Sequence, residues 1–496
     1  MSAATNVEDE VKPVRSLVPA RLDRLPWARF HWLIVVGLGV SWILDGLEIQ
    51  IVSQAGFKDD LGLSNGDVGA LGSVYLVGQI VGALTFGRIT DRVGRRKIFI
   101  LTLAIYLIGS GLAGLSWNFA VLAAFRFIAG LGIGGEYSAI NSAIDELIPS
   151  HYRGRVDIAI NGTYWGGAAI GAAANLYLLS AAVPSSLGWR IGFFIGPVIG
   201  VLIIGLRRHI PESPRWQMTH GYQDEANATV DDIERRVRED GISLSEVDDK
   251  KAIEIVPQQW LPYREIFRIF FKTYPRRTAL GFFLMSTQAF LYNAIFFSYA
   301  LVLQHFFHIS KAHTSYYFLP FAIGNLLGPL VLGPLFDTIG RRKMISGTYL
   351  LSGVLLAVSA ALFGGGHLTA TTQTILWCII FFFASAGASS AYLTVSEIFP
   401  LELRGQAIAI FFSIAQGFGA IATSLYGHLI GGANNDHPDR GPLTFGYYLG
   451  AGVMILGGVV AFFLAINAER QSLEDIADPL SRAPGTSGSV GNDTGD

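Results

Sequence analysis

Three carboxylates and one guanidinium stand in stretches that are otherwise apolar: Asp45 and Glu48 in SWILDGLEIQIV, Arg126 in AVLAAFRFIAGLG and Glu136 in IGGEYSAI. A charge in a medium of low dielectric costs several kcal/mol, so each of the four is a functional candidate. A carboxylate beside a guanidinium suits proton exchange. The cation favours the ionised acid, burial favours the protonated acid, and a movement that alters either captures or releases a proton. Asp45 lies about eight residues before the end of its apolar run and Arg126 about eight residues after the start of its own; the two runs cross in opposite directions, so both groups lie ~12 Å of helix below the same face. They are therefore expected to pair, with a purely structural ion pair as the alternative. Glu48, three residues after Asp45, shares its helix face and is either a second proton site or a group facing water at the mouth. Glu136 lies ~15 Å deeper than Arg126; it binds substrate, passes protons inward or partners an arginine beyond the run.

The elements that must position these groups are membrane helices. The chain has 496 residues, 51% of them apolar and only 15% charged, with 58 Gly and 33 Phe. An ordinary soluble domain carries roughly a quarter charged residues. The formal net charge of -2 offers no basic face for nucleic acid, and one cysteine, Cys378, makes no internal disulfide. Twelve continuous apolar runs are long enough to cross ~30 Å of hydrocarbon as helices. They cover 30–53, 67–90, 97–116, 118–142, 156–181 and 189–206, then 276–304, 314–336, 343–364, 371–395, 404–431 and 443–467. The expected organisation is an N-terminal arm (1–29, with no signal peptide), a six-helix bundle (30–206), a central loop (207–275), a second bundle (276–467) and a mostly disordered tail (468–496). The loop is expected to carry a surface helix over Tyr222–Asp240. With the N-terminus inside, 31 of 36 Lys and Arg fall on that side, which predicts both termini to be cytoplasmic in a multi-pass cell-membrane protein. Only Lys58, Arg190, Lys311 and Arg440 fall outside.

The two halves repeat. GRITDRVGRRK (87–97) corresponds to GPLFDTIGRRK (333–343), and ELIPSHYRG (146–154) to EIFPLELRG (397–405). Duplicated six-helix halves are a layout of transporters that rock about a midplane site. The repeated charges are Asp91, Arg92, Arg95, Arg96, Glu146 and Arg153, matched by Asp337, Arg341, Arg342, Glu397 and Arg404. They are expected to lock the halves together in one state and to separate in the other, shifting the equilibrium by their differential energy. Topology signalling is the plainer alternative.

These paired motifs resemble the major facilitator superfamily over roughly residues 30–475. PESPRW (211–216), SEIFPLELRGQAIA (396–409) and ERQSLEDI (469–476) resemble the sugar porters, whereas GIGGEY (132–137) resembles the metabolite:proton symporters. The resemblance implies an all-α fold of twelve transmembrane helices in two pseudo-symmetric bundles. It also implies that Asp45 accepts the coupling proton and that Arg126 tunes it. Within QAFLYN, Gln288 and Asn293 match the sugar porters' amides, which bind sugar hydroxyls, and Tyr392 stands where those proteins carry a tryptophan. Thr287 and Leu291 depart from the pattern. The expected function is proton-coupled symport of a small polar solute by alternating access, with a sugar or polyol first and an organic acid or zwitterion second. The competing class is a solute sensor that does not transport. No nucleophile–base set, metal cluster or cofactor motif points to an enzyme. The expected partners are solute, protons and lipid, without nucleic acid, cofactor or metal, and the protein is expected to act as a monomer.

Overall fold

The computed structural model describes residues 13–53, 57–63, 65–178, 182–256, 261–310, 313–430 and 439–481. Among the described residues, twelve long helices form two sets of six. The first set is α1 (Arg29–Ser53), α2 (Asn65–Val93), α3 (Arg95–Ala113), α4 (Phe119–Leu147), α5 (Ser150–Leu178) and α6 (Ser185–Arg207). The second is α7 (Pro275–Phe307), α8 (Thr314–Thr338), α9 (Arg341–Gly364), α10 (Ala370–Glu397), α11 (Arg404–Ile430) and α12 (Gly441–Leu464). Eleven of the twelve are long and apolar enough to span a bilayer; α5 is the exception in composition. It spends its first turns on Arg153, Arg155 and Asp157 and is also interrupted by Asn161 and Asn175.

Local chemistry sets the helix ends. Gly94 and Gly340 have φ of 106° and 111°, a region open to glycine and closed to most side chains. Each breaks the chain between the two helices of a repeated motif. Asn118 caps α4 by accepting the N–H of Val121, and Thr369 caps α10 in a reciprocal box with Thr372.

Within the first set α2 packs on α4, α1 on α5 and α3 on α4. The second set repeats this with α8 on α10, α7 on α11 and α9 on α10; α9 also packs on α12, as α3 does on α6. The sets meet along α5 against α8 and α2 against α11, two contacts exchanged by the internal repeat. Small residues allow the approach: a Cβ on Gly162 would stand 2.5 Å from the Pro329 ring, and one on Gly87 2.6 Å from Ala409.

The expected surface helix is present as Gln223–Glu239. The segments outside the bundles are more organised than expected. Strand β1 (Val14–Ser16) pairs antiparallel with β2 (Ile253–Ile255), joining Val14 to Ile255. Arg215 of the central segment, buried, bonds Asp23 at 3.0 Å and Glu474 of the tail at 2.9 Å. Those two guanidinium contacts draw the arm, the central segment and the tail into one cap on what we call the termini face. Burial opposes ionisation of Asp23, but Arg215 and Arg153 outweigh it and hold that carboxyl below its usual range. The tail is packed as far as Ser481, whose N–H and hydroxyl both donate to Glu402; residues 482–496 lie outside the described ones.

Candidate functional site

A cavity of about 890 Å³, open mouth included, lies between the two sets of helices. Asp45 of α1 lines it, and Gln288 and Asn293 of α7 and Tyr392 of α10 line it from the second set. Four residues expected from the two halves of the chain thus share one space. Their helices explain why: Gln288 and Asn293 sit near mid-helix on α7, and Tyr392 lies little more than one turn before Glu397, the last residue of α10.

The expected contact between Asp45 and Arg126 is not made. Arg126 forms its ion pair with Glu48, and its guanidinium lies 3.9 Å over the Tyr75 ring. Asp45 instead accepts the hydroxyls of Tyr75 at 2.7 Å and Tyr137 at 2.6 Å. Side-chain direction accounts for the exchange. Side chains lean toward the N-terminus of their own helix. On α1 that leads toward the termini face, and on the antiparallel α4 it leads away. Equal depth along the axes therefore brings Arg126 to the acid one turn further from the termini face, which is Glu48. Tyr75 joins the two sites, touching Asp45 with its hydroxyl and Arg126 with its ring.

Glu136 does not line the cavity. It forms an ion pair with Arg207, in the last turn of α6, and accepts the Ser41 hydroxyl at 2.5 Å. Arg207 also donates to the carbonyls of Gly37 and Phe99, each at 2.8 Å. The expected partner beyond the apolar run is thus a helix-end arginine.

Several lining groups escaped the sequence reading. Trp42, Tyr137, Tyr164 and Trp165 form aromatic walls from the first set. Trp42 and Tyr137 meet edge to face at 4.1 Å, and Phe412 of α11 stacks on Tyr137 at 4.5 Å. Gln79 of α2 and Gln416 of α11 bond each other across the two sets. Each is an amide within an apolar run, and that was the signal available for them. The glycine series of α4 packs as expected of small residues: Cβ atoms at Gly130 and Gly134 would collide with the α2 backbone at Tyr75 and Gln79.

The repeated charges lie on the termini face, below the cavity. Arg95 bonds Glu146 at 2.8 Å and Asp91 at 3.2 Å. Arg341 bonds Glu397 at 3.1 Å and Asp337 at 2.8 Å. Each aspartate also rests on the first turn of a helix in the other set. Asp91 accepts the N–H groups of Gly405 and Gln406, and Asp337 accepts that of Arg155. Among the described residues three ion pairs cross between the sets, Arg153 to Glu397 at 3.9 Å, Arg404 to Glu146 at 3.8 Å and Arg155 to Asp337 at 4.0 Å. The remaining motif arginines are peripheral. Arg92 is exposed, Arg96 donates to the Arg208 carbonyl and Arg342 to that of Phe462. Glu212, outside the helices, accepts the N–H groups of Arg95 and Ser213; burial nevertheless raises its carboxyl above the usual range.

Comparison with known proteins agrees with this architecture. Residues 46–479 match the family model described as "Sugar (and other) transporter". The niacin transporter NiaP of Acinetobacter baylyi is 27% identical over 389 residues, covering 78% of this chain and 84% of that protein. Myo-inositol transporter 2 of Schizosaccharomyces pombe is 27% identical over 474 residues, 91% of this chain and 82% of that protein. A probable 4-methylmuconolactone transporter of Cupriavidus pinatubonensis is 25% identical over 387 residues, 77% of this chain and 79% of that protein. Among solved structures, the proton:xylose symporter XylE superposes with a TM-score of 0.71 at 18% identity, over 90% of this chain and 98% of that one. That likeness establishes the fold. The homologues and neighbours are transporters, which favours transport over solute sensing and sets enzymatic activity aside. With its two six-helix sets, its duplicated motifs and its family match over residues 46–479, the chain belongs to the sugar (and other) transporter family of the major facilitator superfamily and is a multi-pass membrane transporter of small solutes.

Proposed function

We propose that this protein is a proton-coupled symporter of a small, uncharged polar ring compound, working by alternating access in the cell membrane with both termini cytoplasmic. The observation that carries the reading is the composition of the cavity wall. Among the described residues that line it, Asp45 is the one carboxylate, and none is an arginine, lysine or histidine. Such a wall disfavours an anionic solute while Asp45 is ionised. The amides of Gln288, Asn293, Gln79 and Gln416 offer donors and acceptors to the edge of a ring. The aromatic walls offer planes to its faces. Cyclic polyols and neutral heterocycles both meet that description. Asp45 takes the coupling proton, because it faces the solute and is freed of any guanidinium contact. Arg126 acts on it at second hand, through Glu48 and the shared Tyr75.

An organic acid is the second reading, favoured by the similarity to niacin transporters. It requires Asp45 to be protonated before the acid enters, which itself couples the two fluxes. The gate reading applies to the termini face: the aspartate–helix contacts and crossing ion pairs hold the halves together there while the cavity serves the opposite side.

Proteoliposome uptake tests both points. Myo-inositol, glucose, nicotinamide and nicotinate are offered with and without an inward proton gradient. Gradient-driven accumulation of at least one is expected. In Asp45→Asn that accumulation should vanish while exchange at equal pH survives, since Asn mimics the protonated acid. Intact gradient-driven accumulation in Asp45→Asn sinks the assignment of the proton.

A further inference from the structure

Two carboxylates that the transport reading leaves unused are buried between the cavity and the charges of the termini face. Asp145, near the end of α4, and Asp157, two turns into α5, have no solvent exposure. None of their four carboxylate oxygens has a hydrogen-bond partner. They are continuous with the cavity. Tyr137, Asn141 and Asp145 recur every four residues on one face of α4, and Asp157 and Asn161 do so on α5. Tyr137 bonds Asp45, while Asn161 lines the cavity and donates to Asn141 at 3.2 Å. A polar track thus runs from the coupling carboxylate to the pair.

The surroundings make the pair electrically surplus. Asp145 faces Glu397 of α10, Arg153 of α5 and Arg404 of α11, with Ser396 as a polar neighbour. Asp157 faces Asp145, Glu397 and Arg341 of α9, with Asn161 beside it. The charges of the repeated motifs already balance without them: Asp91, Glu146, Asp337 and Glu397 oppose Arg95, Arg153, Arg341 and Arg404, all buried. Asp23, Arg215 and Glu474, which adjoin this layer, bring one further negative charge. Ionising Asp145 and Asp157 sets two unmatched carboxylates of the first set against Glu397 of the second, across the interface. An unpaired buried charge of this kind is strongly disfavoured. The ion pairs that cross the interface are also the loosest of this layer, at 3.8, 3.9 and 4.0 Å, and both terminal nitrogens of Arg404 lack a hydrogen bond.

We infer that Asp145 and Asp157 form a second proton-binding site, occupied while the termini face is closed and emptied as it opens. Loss of the protons turns neutral groups into carboxylates that repel Glu397 and draw Arg153 away from it. Both changes part the two sets and admit water, which then solvates the acids. Binding and closure are linked in both directions, so a higher pH at the termini face favours opening. The inference rests on the alternating-access reading and not on the role of Asp45.

The test is pulsed EPR on the full chain in lipid nanodiscs without solute. Spin labels are placed at Lys97→Cys and Lys343→Cys, the exposed ends of α3 and α9, in a Cys378→Ser background. Between about pH 5 and pH 9 the population with widely separated labels should grow at least about fivefold. Asp145→Asn and Asp157→Asn should flatten that rise to less than about twofold, and Asp45→Asn should retain it. Retention in Asp45→Asn separates this site from the coupling site, whose failure appears in the uptake assay instead. If the asparagine variants fold poorly, Asp145→Ser restores the residue of the corresponding position in the other half, Ser396, and should flatten the rise equally. An unchanged rise in folded Asp145 and Asp157 variants, or no rise in the parent, overturns the inference. A shift at constant pH on exchanging potassium for sodium also overturns it, because the site then takes a metal cation and not protons.

Discussion

A Cβ placed on Gly405 would lie 2.6 Å from Oδ1 of Asp91, because that carboxylate rests on the first turn of α11. The repeat reproduces the arrangement, with Gly154 at the start of α5 facing Asp337. The partial positive charge of a helix N-terminus favours a carboxylate there. In each half, then, the glycine of the RG pair makes room for the acid of the other half's GRRK motif.

Gly405→Ala should push Asp91 off the helix end and weaken the closed state by about 1–3 kcal/mol. The measure is labelling of a cysteine near the termini face by an impermeant thiol reagent, which should speed up. Labelling at the parental rate would show that the contact does not hold the face closed.

Asp91→Asn should lower transport more than solute binding, since it alters the equilibrium between states and leaves the cavity intact. Asp337→Asn should act in the same direction, because Asp337 bonds Arg341 and the Arg155 N–H as Asp91 bonds Arg95 and the α11 amides. Flux and equilibrium binding measured on the same preparation distinguish this from a binding defect.

Glu48→Gln and Asp45→Asn should differ in stability. The first leaves Arg126 without its carboxylate in a buried site, at a cost of about 3–5 kcal/mol. The second retains an acceptor for one tyrosine hydroxyl and should cost about 1 kcal/mol. Thermal unfolding of the detergent-solubilised variants should show the larger drop for Glu48→Gln; equal drops would show that the buried Glu48–Arg126 pair contributes no more than the tyrosine contacts of Asp45.

Arg215→Ala should loosen the cap on the termini face, since it strands Asp23 and Glu474 together. The pH dependence follows from Asp23. Its carboxyl is held below the ordinary range, so its stabilising contribution is complete above about pH 4 and is lost as pH falls through the lower folded value. Acidification should therefore destabilise the parent in that window, and Asp23→Asn should lack that part of the loss.

Reporters fused after Arg208 and at the C-terminus should both be cytoplasmic, as the distribution of Lys and Arg requires. A third at Lys311, which lies outside the described residues, should be external. An external reporter after Arg208 would reverse the assignment of the termini face.

The sequence by itself determined the number of spans, the internal repeat, the surface helix after Tyr222 and the charges that meet at the termini face. Each of those is written in local runs: about twenty apolar residues, a motif recurring in register, a polar stretch with helical spacing. Two matters were decided only in three dimensions. One is the choice of Glu48 over Asp45 as the partner of Arg126. Axial depth is legible from spacing, but the lean of side chains on antiparallel helices moves the meeting point by a turn. The other is the status of the charged segments flanking the apolar runs. Hydropathy ends a span at its first charge, which placed Asp145 beyond the fourth run and Asp157 at the margin of the fifth. The backbone continues as helix through both, from Phe119 to Leu147 and from Ser150. Arg215, Asp23 and Glu474, spread over the central segment, the arm and the tail, likewise read as solvated singly and become a buried cluster because each supplies the counter-charge that makes burial of the others tolerable.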